Sequence, residues 1–161
     1  MKFDTDLSGT PLKGTLRYNT SEHAFEFLPL TPTDLAARTG AAGTTSIALG
    51  TLQLELDVST GLVLFAWGYS PRTAWRDGSL PNPQMKSGAV RVIATSAFKP
   101  GVAVDFTEAR DWQLTRDQTS QWVFLGCSPE PSSVVEIATG VGLVIRNAVL
   151  SGVWLRPTVK T

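Results

Sequence analysis

Apolar and polar residues alternate most regularly over residues 52–57, where three leucines share one face of an extended segment. A turn follows at residues 58–61, because Gly61 tolerates the positive φ that a short hairpin loop requires. The next segment, residues 62–69, is apolar on both faces, which is typical of a strand covered on both sides. The pattern therefore predicts a hairpin whose second strand lies in the middle of a sheet.

Alternating segments recur through the rest of the chain. Residues 14–28 predict another hairpin, in which His23, Phe25 and Phe27 share parity and are expected to face the core. The C-terminal part predicts three further strands, at residues 134–138, 141–146 and 149–155.

One segment breaks the β pattern. Thr31 is suited to cap a helix, Pro32 to occupy its first position, and Asp34 to interact with the positive end of its dipole. We therefore expect one short helix near residues 32–39.

These elements predict an all-β fold of mostly antiparallel strands, about nine or ten in number. We interpret residues 1–161 as a single domain, folded as a barrel or barrel-like sandwich, with a two-sheet sandwich as the alternative. Residues 47–71 and 137–157 resemble each other, since each runs from an isoleucine through two β segments to a tryptophan. This similarity indicates either a duplicated β unit or the chance likeness of two hairpins.

Composition narrows the classes of function. Lys+Arg and Asp+Glu both number 14, and no basic run is present, so we expect neither nucleic acid nor a membrane as partner. The single cysteine, Cys127, excludes an intramolecular disulfide. The N-terminal residues lack the apolar core of a signal peptide, and we expect a cytoplasmic location.

Motifs for familiar catalytic chemistry are missing from the sequence. It has no nucleophile elbow, zinc-protease helix, phosphate loop or dinucleotide fingerprint, and we expect no cofactor and no metal. His23 is the only histidine and hence the one side chain that titrates near neutrality without help. It is either a ligand-binding residue or a hydrogen-bonded packing residue, and the catalytic residues stay unknown.

The aromatic residues and one long loop supply the other candidates. Trp67 and Tyr69 lie on the most apolar strand, and the proline-rich residues 70–88 that follow are long for a connection in a compact domain. In this loop Arg72 and Arg76 flank Trp75, and arginine stacks on indoles or clamps carboxylates. Alternatively, Trp75 fills the core and the aromatic residues only pack.

We therefore predict a β-barrel that binds a small, largely apolar molecule through Trp67, Tyr69, Arg72, Trp75, Arg76 and His23. A cofactor-free isomerase or cyclase that acts by shaping its substrate is an extension of this prediction. The alternative is a small cytoplasmic protein-interaction module of the inhibitor or immunity type. The sequence leaves the oligomeric state open.

Overall fold

The computed structural model describes residues 1–93, 98–129 and 133–160. Within these ranges, sixteen strands form two seven-stranded sheets and one two-stranded sheet, and one short α-helix is present. In chain order the strands are β1 (Lys2–Asp6), β2 (Gly14–Asn19), β3 (Ala24–Pro29), β4 (Thr44–Leu49), β5 (Leu52–Asp57), β6 (Val63–Tyr69), β7 (Arg76–Asp77), β8 (Met85–Ser87), β9 (Ala89–Ile93), β10 (Val104–Asp105), β11 (Gln113–Arg116), β12 (Val123–Gly126), β13 (Val134–Ala138), β14 (Val141–Arg146), β15 (Val149–Leu155) and β16 (Thr158–Lys160).

The first sheet has the order β10-β4-β5-β6-β3-β2-β16, and the second has the order β7-β11-β12-β15-β14-β13-β8. Neighbouring strands inside each sheet are antiparallel, whereas the short strand at each edge pairs parallel to its neighbour. Strands β1 and β9 form the small third sheet. Side chains from both large sheets interdigitate in one main hydrophobic core, so the fold is sandwich-like.

The predicted central hairpin is confirmed. Leu52, Leu54 and Leu56 are buried, whereas the intervening Gln53 and Glu55 are only half-buried. Gly61 has a φ of 74° in the turn. Strand β6 is the fourth of seven in its sheet, in the central position that its apolar sequence predicts.

The single short helix is also confirmed, as α1 (Pro32–Ala37). Thr31 caps it, since its hydroxyl accepts a hydrogen bond from the Asp34 N–H at 3.2 Å. Arg38 ends the helix, and its guanidinium donates to the Asp34 carboxylate at 3.1 Å. The helix therefore stops slightly before residue 39.

The barrel interpretation is wrong, because the two large sheets are not closed on each other. The first sheet ends at β10 and β16, and the second ends at β7 and β8. Alternation along a strand shows which face is buried, and a barrel wall and a sandwich layer bury one face in the same way. The sixteen strands exceed the predicted number largely because the edge strands are only two or three residues long.

Residues 70–88 lead out of the first sheet and then across the second. Strand β7 pairs with β11 at one edge of the second sheet, and β8 pairs with β13 at the other edge. Residues 78–84, which we call the strap, therefore cross that sheet's outer face. Leu80 of the strap belongs to a second hydrophobic cluster, together with Trp122, Phe124, Val134, Val144 and Trp154 beneath it.

The three predicted C-terminal strands match β13, β14 and β15. They form an antiparallel unit with a bulge between Val144 and Ile145, and β4, β5 and β6 form a similar unit with a bulge between Glu55 and Leu56. Internal duplication of residues 47–71 and 137–157 stays a prediction.

Candidate functional site

The segment from Ser70 to Trp75 connects the end of β6 to the second sheet, and hydrogen bonds hold it in place. The Ser70 N–H donates to the His23 carbonyl at 2.7 Å, and the Tyr18 hydroxyl donates to the Ser70 carbonyl at the same distance. Residues Arg72–Ala74 form one turn of 3₁₀ helix. The segment is thereby fixed against β2 and the turn that follows it.

Trp75 anchors the end of this segment in an aromatic cluster. Its ring stacks on Phe25, with centroids 5.6 Å apart, and lies 4.8 Å from the Tyr18 ring. Its indole N–H donates to the Ser70 hydroxyl at 2.9 Å. Burial raises the pKa of the Tyr18 hydroxyl, and the nearby Arg72 cation partly offsets that rise.

Arg72 is exposed and lies over this aromatic cluster. Its guanidinium carbon is 5.0 Å from the Tyr18 ring centroid and 5.7 Å from the Trp75 centroid, within the range of cation–π attraction. Among residues 1–93, 98–129 and 133–160, no carboxylate lies within salt-bridge distance of Arg72. Its charge is therefore oriented by aromatic rings and not neutralised by an acid.

A surface groove of about 390 Å³ opens beside Arg72. We call it the His23 groove, and its lining includes Tyr18, Thr20, His23, Tyr69, Pro71 and Arg72. The His23 and Tyr69 rings meet edge to face, with centroids 6.4 Å apart. Tyr69 is 52% exposed, so much of its surface faces solvent at the groove.

His23 reaches the groove because it lies in a turn. The prediction that it faces the core is wrong, since β3 begins at Ala24 and His23 itself is exposed, with a φ of 54°. Strand parity does not extend into a left-handed turn residue, so the alternation with Phe25 does not hold there.

A second cavity, of about 320 Å³, lies on the other side of the same segment, where the two large sheets separate. Pro71 lines both cavities. The inter-sheet cavity, as we call it, is lined by Leu49 and Leu52 of the first sheet, by Leu114 and Leu125 of the second, and by Trp75 and Trp112.

The six predicted ligand-binding residues thus divide into three groups. His23, Tyr69 and Arg72 meet in the His23 groove, and Trp75 lines the inter-sheet cavity. Arg76 is exposed on β7, and Trp67 lies opposite Gln53 in the middle of the first sheet. Neither Arg76 nor Trp67 lines either cavity.

Trp67 and Glu55 form a partly buried pair on the outer face of the first sheet. Burial raises the pKa of the Glu55 carboxyl, and the neighbouring Trp67 indole partly offsets the rise. The Trp67 Nε1 is nevertheless buried without a partner of acceptable hydrogen-bond geometry. The indole is therefore near the carboxyl but not well aligned with it.

Tyr18 is one of four groove residues that sequence reasoning missed, the others being Thr20, Pro71 and Thr73. It lies within a predicted strand, where its alternation with Leu16 indicates a core residue, and its side chain is indeed fully buried. Only its contact with Arg72, which is 54 positions away in the chain (72 − 18), brings it into the groove. No local pattern signals that contact.

Within residues 1–93, 98–129 and 133–160, no three His, Cys, Asp or Glu side chains are grouped as metal ligands would be. None of the helices in this described part has the length and apolar character needed to cross a membrane. No known protein family matches this chain, and no curated protein matches it significantly.

Proposed function

We propose that this protein binds a small, largely apolar molecule in the His23 groove. The observation that carries the proposal is the meeting of His23, Tyr69 and Arg72, which come from a turn, a strand end and a 3₁₀ segment. All three were selected from the sequence as ligand-binding residues. Their convergence in one concave site is what a binding groove requires.

The lining of the groove is also suited to such a molecule. Tyr69, His23 and Pro71 present ring surfaces to it, and Arg72 adds one oriented charge. Binding sites commonly combine apolar and aromatic walls with a few fixed polar groups. A volume of about 390 Å³ falls within the range of roughly 300–1,000 Å³ that is usual for such sites.

The proposal extends to binding and no further. We assign no catalytic residue, so cofactor-free isomerase or cyclase activity stays a prediction. The proposal keeps the cytoplasmic location expected from the sequence, and the exposed free thiol of Cys127 is compatible with a reducing compartment.

A second candidate function is a protein-interaction module. It is favoured by the exposed ring of Tyr69 near the exposed Arg72, since tyrosine and arginine are common interface anchors. In that case Tyr69→Ala would weaken a protein complex and leave the affinity for small molecules unchanged.

A fragment screen on the purified protein tests the proposal. Binders would be found from their effect on the thermal midpoint, because a ligand at 100 times its Kd stabilises the folded state by about 2.7 kcal/mol. We expect Tyr69→Ala to weaken the best binders about tenfold, which equals ~1.4 kcal/mol. Leu28→Ala is the matched control, because Leu28 is 42% exposed in the same sheet but lies outside the groove. Fragments that bind Tyr69→Ala as tightly as the unmodified protein would contradict the proposal.

A further inference from the structure

We infer that the His23 groove selects aromatic carboxylates, with Arg72 binding the carboxylate and the rings of Tyr69 and His23 contacting the aromatic body. The inference rests on the proposed function and adds the chemical class of the ligand. Three features of the groove support it: the charge of Arg72, the geometry of the aromatic rings and the hydrogen bonds that hold the backbone.

Three arginines are neutralised by carboxylates within the described part of the protein. Arg17 pairs with Glu26 at 2.6 Å, Arg38 with Asp34 at 3.1 Å, and Arg116 with Asp77 at 3.2 Å. Arg72 has no such partner in the described part of the chain.

Among the residues that the structure describes, the lining of the groove also contains no acidic one. A guanidinium presents a planar fork of N–H donors that matches the two oxygens of a carboxylate. The electrostatic complement of this groove is therefore an anion.

Two aromatic side chains form the walls of the groove beside Arg72. His23 and Tyr69 meet at an interplanar angle of 86°, so the edge of one ring points at the face of the other. Half of Tyr69 is exposed there, and an aromatic ligand can pack on its surface in an offset or edge-to-face arrangement. A flat ring fits this wall better than a bulky aliphatic group, because it gains contact with the ring surfaces.

The groove is also held rigid before a ligand arrives. A hydrogen bond of 2.7 Å from the Ser70 N–H to the His23 carbonyl joins two chain segments that line the groove. The Tyr18 hydroxyl donates a hydrogen bond to the Ser70 carbonyl, and the Tyr18 ring supports the Arg72 guanidinium. The backbone on this side of the groove therefore has less conformational freedom to lose on binding, which favours affinity.

Two isosteric probes, 2-naphthoate and 2-naphthamide, separate charge from shape. We would titrate each into the protein and follow the backbone amide signals of the groove residues by NMR. We expect naphthoate to bind at least about tenfold more tightly than naphthamide. Arg72→Gln should remove this preference by weakening naphthoate alone, and Arg72→Lys should keep part of it, since lysine supplies charge without the fork.

Arg91→Gln is the matched control. Arg91 is exposed on β9, next to the turn at Gly61 and thus at the opposite end of β6 from Tyr69. Its replacement should leave both affinities unchanged. The spectrum and thermal midpoint of each variant establish that it is folded.

The outcomes distinguish the inference from the function on which it rests. Equal binding of both probes in the groove would overturn the selection for carboxylates and leave the binding function intact. Loss of affinity to the same extent for both probes in Arg72→Gln would also overturn it, because Arg72 would then act through shape. If neither probe shifts the groove signals, the inference fails, and the fragment screen with Tyr69→Ala decides the proposed function separately.

Discussion

The outer faces of the two large sheets carry similar tryptophans in different surroundings. Trp67 lies on the last strand of the β4–β6 unit, and Trp154 lies on the last strand of the β13–β15 unit. Trp154 is fully buried beneath the strap, whereas Trp67 is half-buried beside Gln53 and Glu55. A tryptophan at the same place in a β unit can thus be core or surface, depending on a segment that arrives from elsewhere in the chain.

The glycines of the second sheet make room for the large side chains on its outer face. A Cβ atom at Gly152 would lie 2.6 Å from the Phe124 ring, and one at Gly142 would lie 2.8 Å from the Met85 methyl group. These positions leave room for large side chains on the outer face. The second sheet thus has a hydrophobic layer on both faces, as its apolar strand Val123–Gly126 requires.

The largest expected effect comes from replacing the two tryptophans. Trp154→Ala should destabilise the protein by about 3–5 kcal/mol, because it opens a cavity next to Phe124 and Trp122. Trp67→Ala should cost about 1 kcal/mol, as is common for single substitutions. Chemical denaturation of both variants measures the difference. Equal losses would mean that the two outer faces are covered alike.

Replacement of Gly152 tests the close packing under the strap. Gly152→Ala should cost about 1–3 kcal/mol, since the added methyl group overpacks against the Phe124 ring. Gly50→Asn is the control, because Gly50 has a φ of 70° and no atom within 4 Å of its Cβ position, and asparagine tolerates that conformation. Denaturation midpoints of the two variants should differ clearly. A neutral Gly152→Ala would show that the Phe124 ring can shift without cost.

Asp117 provides a smaller, pH-dependent test of the strap. Its carboxylate accepts hydrogen bonds from the N–H groups of Leu80, Thr119 and Ser120, and these bonds lower its pKa. The lowered pKa contributes stability above the unfolded pKa of about 3.9, and this contribution is lost as pH falls through the folded value. Asp117→Asn should therefore lower the thermal midpoint at neutral pH, and the difference from the unmodified protein should narrow in acid. A difference that does not depend on pH would mean that the ionised Asp117 carboxylate does not contribute the stability.

Glu55 on the other sheet should show the opposite sign, with the smallest effect. Burial raises its pKa, so the folded state binds a proton more readily than the unfolded state, and its ionisation opposes folding as pH rises. Glu55→Gln should slightly raise the thermal midpoint at neutral pH and have no such effect in acid. A variant that is less stable at neutral pH would mean that the Glu55 carboxylate has a stabilising partner.

Local patterns predicted the elements that depend on local sequence. Three alternating leucines and Gly61 specify the β5–β6 hairpin, and Thr31 with Pro32 specifies the start of α1. Sheet closure was not predictable in this way, because it depends on which distant strands lie at the edges. The cover over Trp154 was missed for the same reason, since Leu80 is 74 positions away in the chain (154 − 80).

Three residues of the candidate site stood out in the sequence, but their meeting in one groove did not. Arg72 and Tyr69 stood out by type next to an unusual loop, and His23 stood out as the only histidine. Their shared groove depends on the hydrogen bond between Ser70 and His23, which alternation does not report. Trp67 was grouped with Tyr69 because both lie on the most apolar strand, but only Tyr69 lies at the end of β6, where the groove opens.

The short edge strands have a consequence for behaviour at high concentration. An exposed sheet edge offers unpaired N–H and C=O groups to other chains, and long flat edges promote aggregation. Here β7 and β10 are two residues long, and β8 and β16 are three residues long. Pro81 and Pro83 precede β8 and donate no backbone hydrogen bond. Each large sheet therefore offers a second molecule only a brief template for strand addition, which works against fibril growth at its edges.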